Sequence, residues 1–339
     1  MSDALLDDIH AFLGDTEWEG AEIAPLVGDA SFRRYFRLKL GGKSAMLMHA
    51  PPPEEDPKPF LHVAHWLETS GLRAPHILLE DATRGWVLTE DFGDQRMREW
   101  IDDNPGDERD IYAKAIDTLV QLHRLPPGPF APYDMAVYLR EAMLLVEWYC
   151  PAMGLDVDVE GYRKAWEAVL EPLLPRQTPG VTVLRDYHAE NIMLLEPGKL
   201  AGAQGLIDFQ DALVGHPAYD LVSLLQDARR DVAEDLECEM LGRYRAAADP
   251  GEHFEADYAR LGAQRNAKIV GIFTRLWKRD GKARYLAMIP RVWTAMERDL
   301  AHEALRPVAD WFAANIPQEI RDTAGGEIQG AASPPTPPC

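Results

Sequence analysis

The hydrophobic period of this chain changes once, near Gly93, and that change constrains the fold more than any other feature. Up to about residue 90 the apolar residues alternate. From Tyr35 to Leu40, Phe36, Leu38 and Leu40 fall on one side, with Tyr35, Arg37 and Lys39 on the other. A period of two is that of a half-buried strand. Gly41-Gly42 is a hairpin turn signal, and Ala45-Met46-Leu47-Met48 is the returning strand. A Pro-rich stretch over 51–59 precedes a helix with Phe60, Val63, Ala64 and Leu67 at helical spacing, and short strands follow at 77–79 and 86–89. Residues 1–22 predict a short amphipathic helix carrying Leu5, Ile9, Phe12 and Leu13 on one face.

Beyond Gly93 the period becomes helical. Ile111, Ala115, Leu119 and Leu122 mark one helix, and residues 134–149 and 160–171 predict two more. Two short apolar strands, 181–184 and 205–207, flank a loop, and residues 216–318 are helical again. The pattern predicts an α+β chain: a small antiparallel-sheet lobe over residues 1–93 and a larger, mainly helical lobe over 94–322. The natural ligand cleft of such a chain lies between the lobes. The tail from Thr323 is low in complexity and is expected to be disordered.

At 339 residues the chain is long enough for two cores. Acids outnumber bases 56 to 35, a net charge of −21, which argues against nucleic acid or an anionic membrane as partner. No stretch approaches the roughly 20 apolar residues of a membrane span. The acidic N-terminus lacks the basic, then apolar, pattern of a signal peptide. Cys150, Cys238 and Cys339 have no metal-ligand spacing and are expected to be reduced thiols. A cytoplasmic monomer acting on a small molecule is the expectation.

The chemistry concentrates in Leu184-Arg185-Asp186-Tyr187-His188-Ala189-Glu190-Asn191 and, further on, Gly205-Leu206-Ile207-Asp208-Phe209-Gln210-Asp211. Phosphoryl transfer needs a carboxylate to aim the attacking hydroxyl and accept its proton. It also needs two oxygen ligands to hold Mg²⁺ on the nucleotide phosphates. Asp186 and Asn191, five apart on a loop after a strand, supply the base and one metal ligand. Asp208, ending the next strand, supplies the other. An Asp and an Asn at this spacing are common in loops and mostly cap turns; the flanking strands and the third carboxylate favour phosphotransfer.

These runs resemble the catalytic loop (Asp-x-x-x-x-Asn) and metal loop (Ile-Asp-Phe) of the aminoglycoside-phosphotransferase-like kinases, which include choline and homoserine kinases. Gly215-His216-Pro217-Ala218-Tyr219-Asp220-Leu221 resembles that family's Gly-x-Pro-x-x-Asp-Leu signature. The resemblance covers residues 20–310 and implies a two-lobed, protein-kinase-like fold using ATP and Mg²⁺. It gives Asp220 a structural role, bracing the catalytic loop. It makes Gly28, Ser31, Phe32 and Arg33 part of a phosphate-covering loop between the first two strands. Glu90 and Phe92 become an interlobe hinge whose backbone pairs with adenine, and His188 either orients the loop or touches substrate. One part departs. The third strand normally carries a Lys for the α- and β-phosphates, and none stands at the aligned place in Ala45–Pro51. His49, Arg33 or Arg34 could supply the missing charge.

Met48–Pro53, Asp208–Ala212, Ser223–Arg229 and Gln264–Leu276 are similar to one subgroup, the bacterial anomeric kinases of N-acetylmuramate and N-acetylglucosamine in peptidoglycan recycling. In that resemblance Asp186 takes the proton of the anomeric hydroxyl. Arg265, Lys268 and Arg275, at helical spacing, could face an anionic amino sugar, or form a solvated basic face. Asp211 could accept sugar hydroxyls or cap a helix. Three other readings remain open: an aminoglycoside or amino-alcohol phosphotransferase, a nucleotide-binding pseudokinase, and, least favoured, a protein kinase.

Overall fold

The computed structural model describes residues 3–26, 33–196 and 202–328. The elements run α1 (Asp3–Leu13), β1 (Glu22–Pro25), β2 (Arg34–Leu40), β3 (Lys43–His49), α2 (Lys58–Thr69), β4 (Ile77–Asp81), β5 (Trp86–Glu90) and α3 (Met97–Asp103). Then come α4 (Glu108–Arg124), α5 (Met135–Ala142), a π-helical stretch (Leu145–Tyr149), α6 (Cys150–Ala152) and α7 (Val159–Leu170). Four short strands follow: β6 (Val181–Val183), β7 (Ile192–Leu194), β8 (Gln204–Leu206) and β9 (Leu213–Gly215). The rest is helical: α8 (Ala218–Leu225), α9 (Glu234–Ala248), α10 (Phe254–Asp280), α11 (Ile289–Leu300), α12 (Arg306–Asn315) and α13 (Gln318–Asp322). No helix among the described residues is long and apolar enough to cross a membrane. By packing, the chain divides into two compact units: Met1–Ile111 with Glu190–Ala212, and Tyr112–Ala189 with Leu213–Cys339.

The first unit is built on an antiparallel sheet of order β1-β2-β3-β5-β4. Register aligns Phe36 with Leu47 and Leu47 with Leu88, while Leu38 faces Ala45. These residues share one face and pack with Ile9, Phe12 and Leu13 of α1 and with Trp86. Each large side chain so buried contributes roughly 1.5–3 kcal/mol. The β2–β3 turn is Gly41-Gly42 at φ 56° and 82°, a two-residue hairpin in which both positions need the left-handed region. The apolar side of α2, including Phe60, Val63, Ala64 and Leu67, is buried as its spacing predicts. β1 is a short edge strand that alternation does not reveal.

The second unit is organised around the long helix α10, buried along most of its length. The helix expected over 134–149 departs from a single α-helix: α5 ends at Ala142 and a π-helical stretch follows. At this junction α10 packs closely, and a Cβ at Gly271 would lie 2.3 Å from the carbonyl carbon of Leu144. Of the tail expected from Thr323, residues 323–328 still pack. Tyr149 donates its hydroxyl to Gly325 O, and Ile328 is buried. Residues 329–339, with Cys339, lie outside the described residues.

Candidate active site

The metal loop sits at the base of a hairpin. β7 pairs antiparallel with β8, Ile192 facing Leu206. One step outward Ile207 N–H donates to Asn191 O at 3.1 Å, so Asp208 must fall beside Asn191. Asn191 Nδ2 is 3.3 Å from Asp208 Oδ2, and Gln210 Nε2 donates to Asp208 Oδ1 at 2.9 Å. Asp208 holds φ at +60° and is exposed, whereas the next residue, Phe209, is buried and stacks on Phe60 of α2 at 5.2 Å. Burying Phe209 fixes the strand end and leaves the carboxylate outside the core. Glu190, before the metal loop asparagine, pairs with Arg98 of α3.

The catalytic loop belongs to the second unit and leaves β6, which pairs with β9. α8 clamps it from below. The Asp220 carboxylate, fully buried, accepts Leu184 N–H at 2.7 Å and Arg185 N–H at 2.8 Å. Ser223 Oγ donates to Arg185 O at 3.1 Å, and Asp227 Oδ2 accepts Ala189 N–H at 3.2 Å. Tyr187 Oη donates to Ala115 O of α4 at 2.9 Å. Tyr187, His188 and Ala189 are buried, while Asp186 is only partly so. Burial pushes Asp220 up to about 7, against the pull of its two N–H donors and the Arg265 guanidinium. Burial also raises Asp227, against Arg229 and Arg265.

Of the nucleotide residues expected from sequence, Arg33, Glu90 and Phe92 are described, and they fall in the first unit. Gly28, Ser31 and Phe32 lie outside the described residues. Arg33 is near the sheet and pairs with Glu55 of the Pro-rich segment at 3.3 Å. Glu90 ends β5; its N–H donates to His76 O, and its carboxylate takes Arg73. Phe92 packs so closely on β8 that a Cβ at Gly205 would sit 2.5 Å from its ring, with the Arg73 guanidinium 4.8 Å over the ring centroid. Asp211 is exposed.

His49, one of the residues considered for the missing charge, stacks on Trp86 at 3.9 Å, and burial and Arg34 lower its pKa. Lys43, at the start of β3, pairs with Glu17 at 2.8 Å. Arg265 does not present its charge outward. It is 4 % exposed, and Nη2 donates to Ser223 Oγ at 2.8 Å, beside the buried Asp220 and Asp227. Two buried carboxylates draw it inward. His188 is 3 % exposed and lies 3.2 Å from Arg229 Nη1 through Nε2, a loop-holding place. Lys268, which sequence left between two roles, reaches Glu141 at 3.0 Å.

Glu141, Ser223 and Asp227 are the site-supporting residues that sequence reasoning missed. For Asp227 a signal existed: an acid two residues after an apolar helix whose eight residues are all buried.

A family model described as the phosphotransferase enzyme family matches residues 22–263, a span that holds both loops. The chain belongs to that family. This phosphotransferase is 36% identical over 328 residues to the N-acetylmuramate/N-acetylglucosamine kinase of Pseudomonas aeruginosa, covering 93% of this chain and 95% of that one. It is 34% identical to the protein of the same name from Caulobacter vibrioides, over 92% of this chain and 96% of that one. Among solved structures, choline kinase LicA from Streptococcus pneumoniae superposes with a TM-score of 0.62 at 14% identity, covering 91% of this chain and 100% of that one. Aminoglycoside phosphotransferase APH(2'')-Ib, ADP-bound, gives 0.59 at 15% identity over 92% and 99%. The fold of this phosphotransferase is therefore protein-kinase-like.

Proposed function

We propose that this phosphotransferase moves the γ-phosphoryl group of ATP onto the anomeric hydroxyl of N-acetylmuramate, N-acetylglucosamine or both. A bond forms between the anomeric oxygen and the γ-phosphorus, the bond to the β,γ-bridging oxygen breaks, and the products are ADP and the sugar 1-phosphate. The observation that carries the reading is the 34–36% identity to four relatives of that name over 80–93% of the chain. Residues 1–93 would carry the phosphate loop and hinge, and residues 94–322 the catalytic and metal loops.

Asp186 accepts the hydroxyl proton. An anomeric hydroxyl is more acidic than an ordinary alcohol, so a carboxylate of ordinary strength suffices as base. Asn191 and Asp208 would hold Mg²⁺. Two adjacent oxygen-bearing side chains suit an ion that completes its shell with phosphate oxygens and water, and the charge it supplies offsets that of the phosphates. Asp220 and Asp227 fix both ends of the loop so that the base needs no reorganisation.

The test is incubation with ATP, Mg²⁺ and each sugar. An alkali-stable, acid-labile sugar phosphate is the expected product. A second reading, nucleotide binding without turnover, draws on β3, where Lys43 pairs with Glu17 and burial lowers the pKa of His49. Tight Mg-ATP binding without transfer to either sugar would establish it instead.

A further inference from the structure

Arg185 adopts φ +70°, a backbone conformation that L side chains rarely take and that glycine takes freely. It immediately precedes Asp186, so its backbone sets where that carboxylate points. Its N–H is held by Asp220 and its C=O by Ser223. The remaining handle is the side chain. The guanidinium runs to Glu141 on α5 and lies 5.6 Å from the Tyr133 ring centroid. Glu141 is buried; it also takes Lys268 Nζ of α10 at 3.0 Å and the Tyr133 hydroxyl. Burial works against its charge, yet Lys268 and Arg185 together hold it below the ordinary carboxylate range.

We infer that Glu141 is a positioning residue: by anchoring the Arg185 side chain it holds residue 185 in the left-handed conformation that aims Asp186 at the substrate hydroxyl. Lys268 keeps Glu141 ionised and in place. The inference rests on the reading of Asp186 as the base.

The comparison of Arg185→Ala with Arg185→Gly tests it. Both remove the guanidinium, and only glycine accepts the backbone conformation without an anchor. The kcat of Arg185→Ala is expected to fall below that of Arg185→Gly by about tenfold, the scale of such backbone strain, with KM for ATP and sugar nearly equal in the two. Glu141→Gln is expected to lower kcat in the parent protein and to cost nothing further in the Arg185→Gly background, the non-additivity of one pathway. Equal kcat in Arg185→Ala and Arg185→Gly would overturn the inference, because the guanidinium itself would then be needed. So would a Glu141→Gln protein of unchanged kcat, or one with a raised KM for N-acetylmuramate alone, which would make the cluster a substrate contact. If Glu141→Gln does not fold, the pair at 185, which leaves Glu141 bonded to Lys268, decides alone. Asp186→Ala is the reference. Full activity there overturns the base reading and this inference with it, whereas loss there with no Ala–Gly difference overturns this inference only.

Discussion

At Asp208 the backbone turns through the left-handed region, and both carboxylate oxygens take amide groups, from Asn191 and from Gln210. Both oxygens are thereby held in a fixed orientation. If Asn191 and Asp208 share a magnesium ion, removing one oxygen weakens the site without unfolding the hairpin. Asn191→Ala is therefore expected to raise the Mg²⁺ concentration for half-maximal rate by about tenfold or more, on the scale of a lost metal ligand partner, and Asn191→Asp to recover part of it. Magnesium titration of the rate with unchanged melting temperature is the readout; an unshifted titration would remove Asn191 from the site. Asp186, Asn191 and Asp208 stand out in the sequence because phosphotransfer would fix both residue type and spacing, and the structure brings the last two side by side. Glu141 and Asp227 do not stand out. Their partners, Arg185 and Ala189, lie 44 and 38 residues away in sequence, and an acid on or beside a helix reads locally as a solvated one.

Among elements, α8 does the most for the site, because its Asp220, its Ser223 and the adjoining Asp227 each hold one part of a single loop. Asp227→Ala leaves Ala189 N–H without its acceptor, at a cost of about 1–3 kcal/mol. A lowered melting temperature together with a lowered kcat is expected. A stability loss with kcat intact would show that the loop end needs no clamp. The helix pair α4 and α9 carries a pH dependence of its own. His123 meets the Tyr244 hydroxyl at 2.8 Å through Nδ1, its Nε2 is buried, and burial lowers its pKa to about 3. The unfolded chain protonates near 6.5, so it binds more protons between those values. This contribution to stability is present above pH 6.5 and is lost as pH falls towards 3, by up to about 1.4 kcal/mol per pH unit. Urea unfolding at pH 7 and pH 5 should show a smaller difference for His123→Gln than for the parent; an equal difference would refute the assignment. The short strands explain what the periodicity missed: β7 and β9 have three residues each, too few for alternation to register. Yet β7 is what turns the 17-residue spacing of Asn191 and Asp208 into contact.

For the whole molecule, the change of period near Gly93 was enough to announce a sheet followed by helices, and the protein-kinase-like neighbours agree. Composition was a poorer guide. The net charge of −21 left the substrate open, and two of the basic residues on α10 that invited a substrate are spent internally. Arg265 serves Ser223 beside two buried aspartates, and Lys268 serves Glu141. Clusters of charge in sequence do not say which way the side chains turn, and burial of their partners decides it. The absence of a phosphate-gripping Lys on β3 is the one place where catalysis itself is at stake. One measurement addresses it most directly: transfer of phosphate from Mg-ATP to N-acetylmuramate by the parent protein and by Asp186→Ala, side by side with Mg-ATP binding by each. The account predicts an acid-labile sugar phosphate from the parent, a rate lower by about 10²–10⁴ in Asp186→Ala, and nucleotide binding retained in both. A parent protein that binds Mg-ATP but phosphorylates neither amino sugar, or an Asp186→Ala protein that turns over at the parental rate, would contradict it.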